Sequence, residues 1–148
     1  MKSTSCIALA ALLATFAAWA DEAKAPAEIP VDRAAVSGRM QRISLFYSLN
    51  PDCAVRGEVA IRVTSAPAHG AVHLEQGSDF PNFTRDNARY ECNKQQVPVQ
   101  ALFYQSGAGY SGPDSFVVEV LYPDGNSYTT RFRIDVWPER SVESARTK

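Results

Sequence analysis

Strict alternation of apolar and polar residues is the feature of this sequence that most limits its fold. In residues 127–137 (SYTTRFRIDVW), Tyr128, Phe132, Ile134 and Val136 share one parity, and polar side chains take the other. Residues 57–64 (GEVAIRVT) alternate in the same way. Because side chains of a strand point in turn to its two faces, a period of two predicts half-buried β-strands rather than helices.

The same pattern, broken by turn signals, extends over most of the chain. Strand-like runs also occupy residues 42–47, 71–75, 88–92, 97–104 and 114–122. Asp124-Gly125, between the last two runs, indicates a tight hairpin. About seven or eight short antiparallel strands with no convincing helical period predict an all-β fold, a sandwich of two sheets packed face to face.

The first twenty residues (MKSTSCIALAALLATFAAWA) have the form of an export signal. Lys2 precedes an apolar stretch, and Ala18-Trp19-Ala20 supplies the small residues of a cleavage site. The apolar run is too short to cross a membrane comfortably. We therefore expect a signal peptide over 1–20, a periplasmic or secreted location, and no membrane insertion after cleavage.

Composition divides residues 21–148 into three segments, and charge argues against nucleic acid as a partner. We expect a flexible leader over 21–39, a β-sandwich domain over 40–138 and a disordered tail over 139–148. Beyond residue 20 there are 14 Lys and Arg and 16 Asp and Glu. This near-neutral balance argues against nucleic-acid binding, which favours a basic surplus on one face.

Loss of Cys6 with the signal would leave two cysteines, Cys53 and Cys92. An even pair in an exported chain most simply forms a disulfide. By the entropy of loop closure, such a bridge would stabilise the fold by ~3–4 kcal/mol. The alternative, a redox or metal-binding pair, lacks a C-x-x-C motif or a nearby histidine.

Two blocks carry a resemblance to a known family. Residues 63–72 (VTSAPAHGAV) and 104–116 (YQSGAGYSGPDSF) resemble bacterial Ig-like and cadherin-like modules, which read P-x-x-G-x-V and then G-Y-x-G-x-D-S-F. Asp124-Gly125 falls where that family has its final hairpin turn, and the match covers roughly residues 58–136. The resemblance implies an Ig-like β-sandwich with a non-catalytic structural or binding role, here as a single exported domain.

The second block predicts a structural corner. Gly109 and Gly112 can adopt positive φ, and Tyr110 can pack its ring inward while its hydroxyl bonds to backbone. Asp114 can cap a turn with its carboxylate, and Phe116 begins an inward-facing alternation.

Catalytic, cofactor and metal sites are not expected. His69 falls in a turn and His73 on a strand, with no third metal ligand near them in the sequence. Asp114, Asp124 and Asn126 supply too few oxygens for calcium. No G-x-S-x-G or comparable nucleophile motif occurs, so an enzyme is not indicated.

A polar loop over residues 77–87 holds the candidate binding residues Phe80, Asn82, Phe83 and Arg85. The two phenylalanines form either a flap that closes one end of the sandwich or an exposed contact patch. The flap is favoured because large rings usually bury. We expect a monomeric module that binds an envelope protein or glycan through loops at one end.

A second short pattern indicates an alternative function. Ser106-Gly107-Ala108-Gly109-Tyr110 fits S-G-x-x-Y, and with Tyr90-Glu91-Cys92 it resembles exported inhibitors of lysozyme. In that family the loop with the Ser and Tyr enters the enzyme's cleft. The alternative is therefore a periplasmic lysozyme inhibitor that acts through Ser106–Tyr110.

Overall fold

The computed structural model describes residues 27–139, which form seven strands and one short 3-10 helix. The strands are β1 (Glu28–Val36), β2 (Met40–Phe46), β3 (Ala60–Ser65), β4 (Gly70–Asp79), β5 (Val97–Ser106), β6 (Gly112–Leu121) and β7 (Ser127–Trp137), and the 3-10 helix is Tyr90–Lys94. The predicted signal peptide, residues 21–26 of the predicted leader and residues 140–148 of the predicted tail lie outside the described residues. Within residues 27–139, no helix has the length and apolarity needed to span a bilayer.

The strands form two sheets, and the predicted β-sandwich is confirmed. One sheet has the order β1-β7-β6-β3 and the other β2-β5-β4. The alternation predicted for β7 holds, since Thr130, Phe132, Ile134 and Val136 are buried. The main core lies between the sheets and consists of Ala35, Ile43, Val59, Leu102, Tyr104, Phe116, Val118, Val120, Phe132, Ile134 and Val136.

The prediction of a flexible leader is wrong for residues 28–39, because β1 and the turn after it lie there. β1 pairs with β7 from Glu28 opposite Thr129 to Val36 opposite Trp137. This pair is parallel, whereas only antiparallel strands were expected. The Ala- and Pro-rich sequence carries little strand signal of its own, but the open edge of β7 satisfies the β1 backbone groups.

The prediction of a strand over residues 88–92 is also wrong, since Tyr90–Lys94 forms the 3-10 helix. Within residues 27–139 this segment pairs with no strand, and its Cys92 is fully buried at 0% exposure. β4, in contrast, extends beyond the predicted 71–75 because β5 pairs with it as far as Asp79 opposite Val97.

A second apolar cluster packs on the outer face of the β2-β5-β4 sheet, at the end where β5 begins. Val97 and Val99 point away from the main core because their parity on β5 is opposite to that of Leu102 and Tyr104. They pack with Leu49 and Cys92, and the partly buried Leu45, Tyr47, Cys53 and Phe83 surround them. The predicted Cys53–Cys92 disulfide is confirmed, with Cα atoms 5.3 Å apart, and it joins the loop after β2 to the 3-10 helix.

Candidate functional site

Two adjoining clefts lie at the end of the sandwich where β2 and β6 finish. The first cleft, of about 350 Å³, is lined by residues that include Phe46, Val55, Glu58, Gln76, Pro98 and Gln100. The second cleft, of about 340 Å³, is lined by residues that include Arg56, Phe83, Arg89, Tyr122 and Asp124. Phe46 and Tyr47 line both clefts and separate them.

The polar groups of the first cleft come from the inner faces of β4 and β5 and from Glu58, which lies just before β3. Gln76 on β4 lies directly opposite Gln100 on β5. Both amide groups donate to the carboxylate of Glu58, that of Gln100 over 3.2 Å. On β5, Gln100 follows the parity of the buried Leu102. The inner face therefore changes from apolar to polar where the sandwich opens to solvent.

Tyr47 holds the wall of the second cleft. Its hydroxyl donates to Asn82 Oδ1 over 2.7 Å and accepts from the Asn82 backbone N–H over 3.0 Å. Its ring meets Phe83 edge to face, with ring centroids 5.2 Å apart. These contacts fix the chain after β4 against the end of β2.

A charged pair lies at the second cleft. Arg56 Nη1 is 3.5 Å from Asp124 Oδ2. The backbone N–H of Asn126 holds the pKa of the Asp124 carboxyl below its usual value, and the Arg56 charge acts in the same direction. Burial raises the pKa of the Tyr122 phenol further above neutral pH. This cleft thus offers both a cation and an anion beside aromatic rings.

The four residues of the predicted binding loop have different surroundings in the structure: two make contacts within the fold and two are exposed. Phe83 is half-buried against the second apolar cluster, and Asn82 is bonded to Tyr47. Phe80 is 48% exposed and Arg85 is exposed. Phe83 therefore forms part of a flap, while Phe80 remains available for contact.

Sequence reasoning did not single out the polar residues of the first cleft. Gln76 and Gln100 occupy inward-facing positions of their strands, where an apolar residue would be expected. A polar residue at such a position is a signal that could have marked them. Glu58 gave no signal, because an exposed glutamate beside a strand is common.

The predicted corner lies at the other end of β6. The Asp114 carboxylate is buried and accepts from the backbone N–H groups of Ala68 at 3.0 Å and His69 at 3.1 Å. It also accepts from the Tyr104 hydroxyl at 2.8 Å. Burial, together with this bond, raises the pKa of the fully buried Tyr104 phenol well above its usual range. Asp114 thus ties the turn before β4 to β5 and β6.

The other predicted corner residues surround this tie. Gly109 and Gly112 have φ of +78° and +129°, conformations that favour glycine. The Tyr110 hydroxyl donates to the Pro113 carbonyl over 2.6 Å, and its ring stacks on His69 at 4.1 Å between centroids. Phe116 is fully buried in the main core.

Ser106 of the S-G-x-x-Y pattern does not face solvent. It is 4% exposed, its Oγ accepts from the Gly38 N–H over 2.9 Å, and it donates to the Gly107 carbonyl over 3.3 Å. Tyr110 is held by its own contacts at the corner. The loop therefore presents mainly Gly107, Ala108 and Gly109 at the surface.

The two histidines have different surroundings. His69 stacks on Tyr110 in the turn before β4, and His73 lies on β4. In the described part of the chain, no three His, Cys, Asp or Glu side chains are grouped as a metal ion would require.

Residues 27–139 thus form a two-sheet β-sandwich with the Cys53–Cys92 disulfide. No family model matches the chain, and no curated protein matches it. Among solved structures it is similar to amebosin, with 12% identity, a TM-score of 0.41, and coverage of 75% of this chain and 99% of that one. It is also similar to endo-fucoidan hydrolase MfFcnA4 from glycoside hydrolase family 107, with 15% identity, a TM-score of 0.40, and coverage of 79% of this chain but 14% of that one.

Proposed function

We propose that the chain is an exported, non-catalytic Ig-like or cadherin-like module that binds a partner of the cell envelope through the two clefts. The strand order supports this family. Without β1, the orders β2-β5-β4 and β3-β6-β7 correspond to the strands B-E-D and C-F-G of an Ig fold. The disulfide is consistent with an oxidising compartment outside the cytoplasm.

The first cleft is the observation that carries the binding role. Its mostly apolar lining with a few converging polar groups is typical of ligand sites, whereas the lining of the second cleft is more polar. In the first cleft these groups are the carboxylate of Glu58 and the amides of Gln76 and Gln100, beside the ring of Phe46. Uncharged amides and one carboxylate suit the hydroxyl groups of a neutral glycan, to which they can both donate and accept. The favoured partner is therefore an envelope glycan.

The test is a calorimetric titration of the full chain with neutral N-acetylhexosamine oligosaccharides, which measures the heat of binding. We expect saturable binding that the double variant Gln76→Ala/Gln100→Ala weakens about tenfold, because two hydrogen bonds are lost. The matched control is Gln95→Ala/Gln96→Ala, which removes two exposed glutamines that do not line the clefts.

Envelope pull-downs with the same two variants separate the glycan from a protein partner. Capture of a protein that is lost only in the Gln76→Ala/Gln100→Ala variant would place a protein in the cleft instead of a glycan. If binding of the oligosaccharides and capture of an envelope protein are both independent of Gln76 and Gln100, the proposal that the first cleft binds a partner is wrong.

No contact of the Ser106–Tyr110 loop favours the alternative function as a lysozyme inhibitor. The Ser106 hydroxyl is buried and used within the fold. We therefore expect lysozyme turnover to be unchanged by micromolar concentrations of the protein. Slowed turnover would restore the alternative.

A further inference from the structure

β4 is a long edge strand without the usual protection. It pairs with β5 along its whole length, and no other strand within residues 27–139 lies on its other side. Such an edge presents unpaired N–H and C=O groups to other chains, and proteins commonly protect edges with proline, bulges or charges. The other three edges have one of these: β1 contains Pro30, and β2 and β3 contain register shifts. β4 has no proline and no register shift, and its only charged residue before the terminal Asp79 is Glu75.

The direction of the β4 backbone groups follows from one hydrogen bond. The Gly107 N–H donates to the His69 carbonyl over 2.8 Å, in register with the β4–β5 ladder. Because bonded pairs alternate along an antiparallel ladder, the odd-numbered residues of β4 bond to β5. The N–H and C=O groups of Val72, Leu74 and Gln76 therefore point to the free edge.

A second copy of β4 is complementary to this edge in one register. If two copies pair antiparallel about Leu74, residues 70–78 of each are fully matched, and Val72 bonds to Gln76 of the other copy. Each His73 then lies opposite Glu75 of the other copy, so an imidazole meets a carboxylate twice. Pairing about His73 would instead oppose two histidines, and pairing about Glu75 two carboxylates. A carboxylate can accept the N–H of an imidazole that lies opposite it, whereas two carboxylates opposite each other destabilise a pair.

The apolar side chains of this edge support the same arrangement. Leu74 is 40% exposed on the inner face of β4. Pairing about Leu74 brings the two Leu74 side chains together and removes apolar surface from water.

We propose that two copies of this chain associate through the free edges of β4, antiparallel and centred on Leu74. The two β2-β5-β4 sheets then form one continuous six-stranded sheet. This departs from the monomer expected from sequence, where the position of β4 at an edge was not visible.

The test is sedimentation velocity of the full chain over micromolar to millimolar concentrations. We expect a reversible monomer–dimer equilibrium. Leu74→Lys should abolish the dimer, because a lysine at the edge opposes the same lysine of the other copy. The matched control is Leu121→Lys at the end of β6, where the leucine is 48% exposed and lies away from β4. Circular dichroism checks that each variant is folded.

Charge reversal tests the register separately from folding. His73→Glu should raise the dimer dissociation constant about tenfold, because each new glutamate faces a Glu75. The double variant His73→Glu/Glu75→His exchanges the partners and should restore the dimer. A chain that stays monomeric at all concentrations, a dimer that survives Leu74→Lys, or a double variant that fails to recover would each overturn the proposal.

Discussion

At the scale of single residues, the buried carboxylate of Asp114 organises one end of the molecule. It accepts hydrogen bonds from the backbone of the turn before β4 and from Tyr104 on β5. Gly70 beside this turn is also constrained, because a Cβ there would lie 2.5 Å from the Gln105 carbonyl and 2.7 Å from the Tyr104 ring. The close packing around Gly70 and the hydrogen bonds to the Asp114 carboxylate together fix the position where β4 begins.

Replacing Asp114 by alanine should lower the free energy of unfolding by about 3 kcal/mol, because two backbone N–H groups and a buried hydroxyl lose their acceptor. Urea unfolding at neutral pH measures this change. The control is Asp124→Ala, which removes an exposed carboxylate that accepts from Asn126 in the hairpin turn and should cost less than about 1 kcal/mol. Equal losses in the two variants would contradict the special role of Asp114.

At the scale of elements, β1 shows how an unremarkable sequence becomes part of a sheet. Its outer face carries Glu28 and Asp32, which pair with Arg131 and Arg133 of β7. These pairs are exposed and contribute little to stability. The inner face inserts Ala35 into the main core, at 2% exposure. Burial of this face, with the β7 ladder, is what holds the strand.

Neighbouring alanines of β1 provide a direct test of this contribution. Ala35→Asn should lower the free energy of unfolding by about 3 kcal/mol, because a larger polar side chain would enter the packed core without a partner. Ala34→Asn, on the exposed face of the same strand, should change it by less than about 0.5 kcal/mol. Thermal or urea unfolding measures both. If the two variants are equally stable, β1 is not part of the folded domain.

At the scale of the whole molecule, apolar clusters pack on both faces of the β2-β5-β4 sheet. The main core lies on its inner face, and the second apolar cluster lies on its outer face beneath the Cys53–Cys92 disulfide. The bridge closes a loop between residues 39 apart in sequence. It holds the loops that carry Tyr47 and Phe83, and therefore the wall of the second cleft.

The double variant Cys53→Ala/Cys92→Ala should lose about 4 kcal/mol of stability by loop-closure entropy. The loss should be uneven, because the second cluster depends on the bridge more directly than the main core does. Hydrogen exchange should show earlier loss of protection at the amides of Val97 and Val99 than at that of Val118. Uniform loss across these amides would mean that the two clusters unfold as one unit.

Part of the candidate site could be predicted from the sequence, and part could not. Phe83 and Asn82 were indicated because rings and turn residues in a polar loop are visible locally. The convergence of Glu58, Gln76 and Gln100 was not, because these residues lie on three segments that meet only after the sheets have packed.

The sequence by itself determined the properties that depend on each residue's neighbours in the chain. Period-two alternation made the strands half-buried, and two hydrophobic faces then had to pack together; the single cysteine pair indicated the disulfide. Only the tertiary structure decided which edges were filled and which stayed open. It added β1 to β7, left residues 90–94 as a 3-10 helix and placed β4 at a free edge. Those outcomes depend on backbone partners distant in sequence, and no local pattern of side chains specifies such partners.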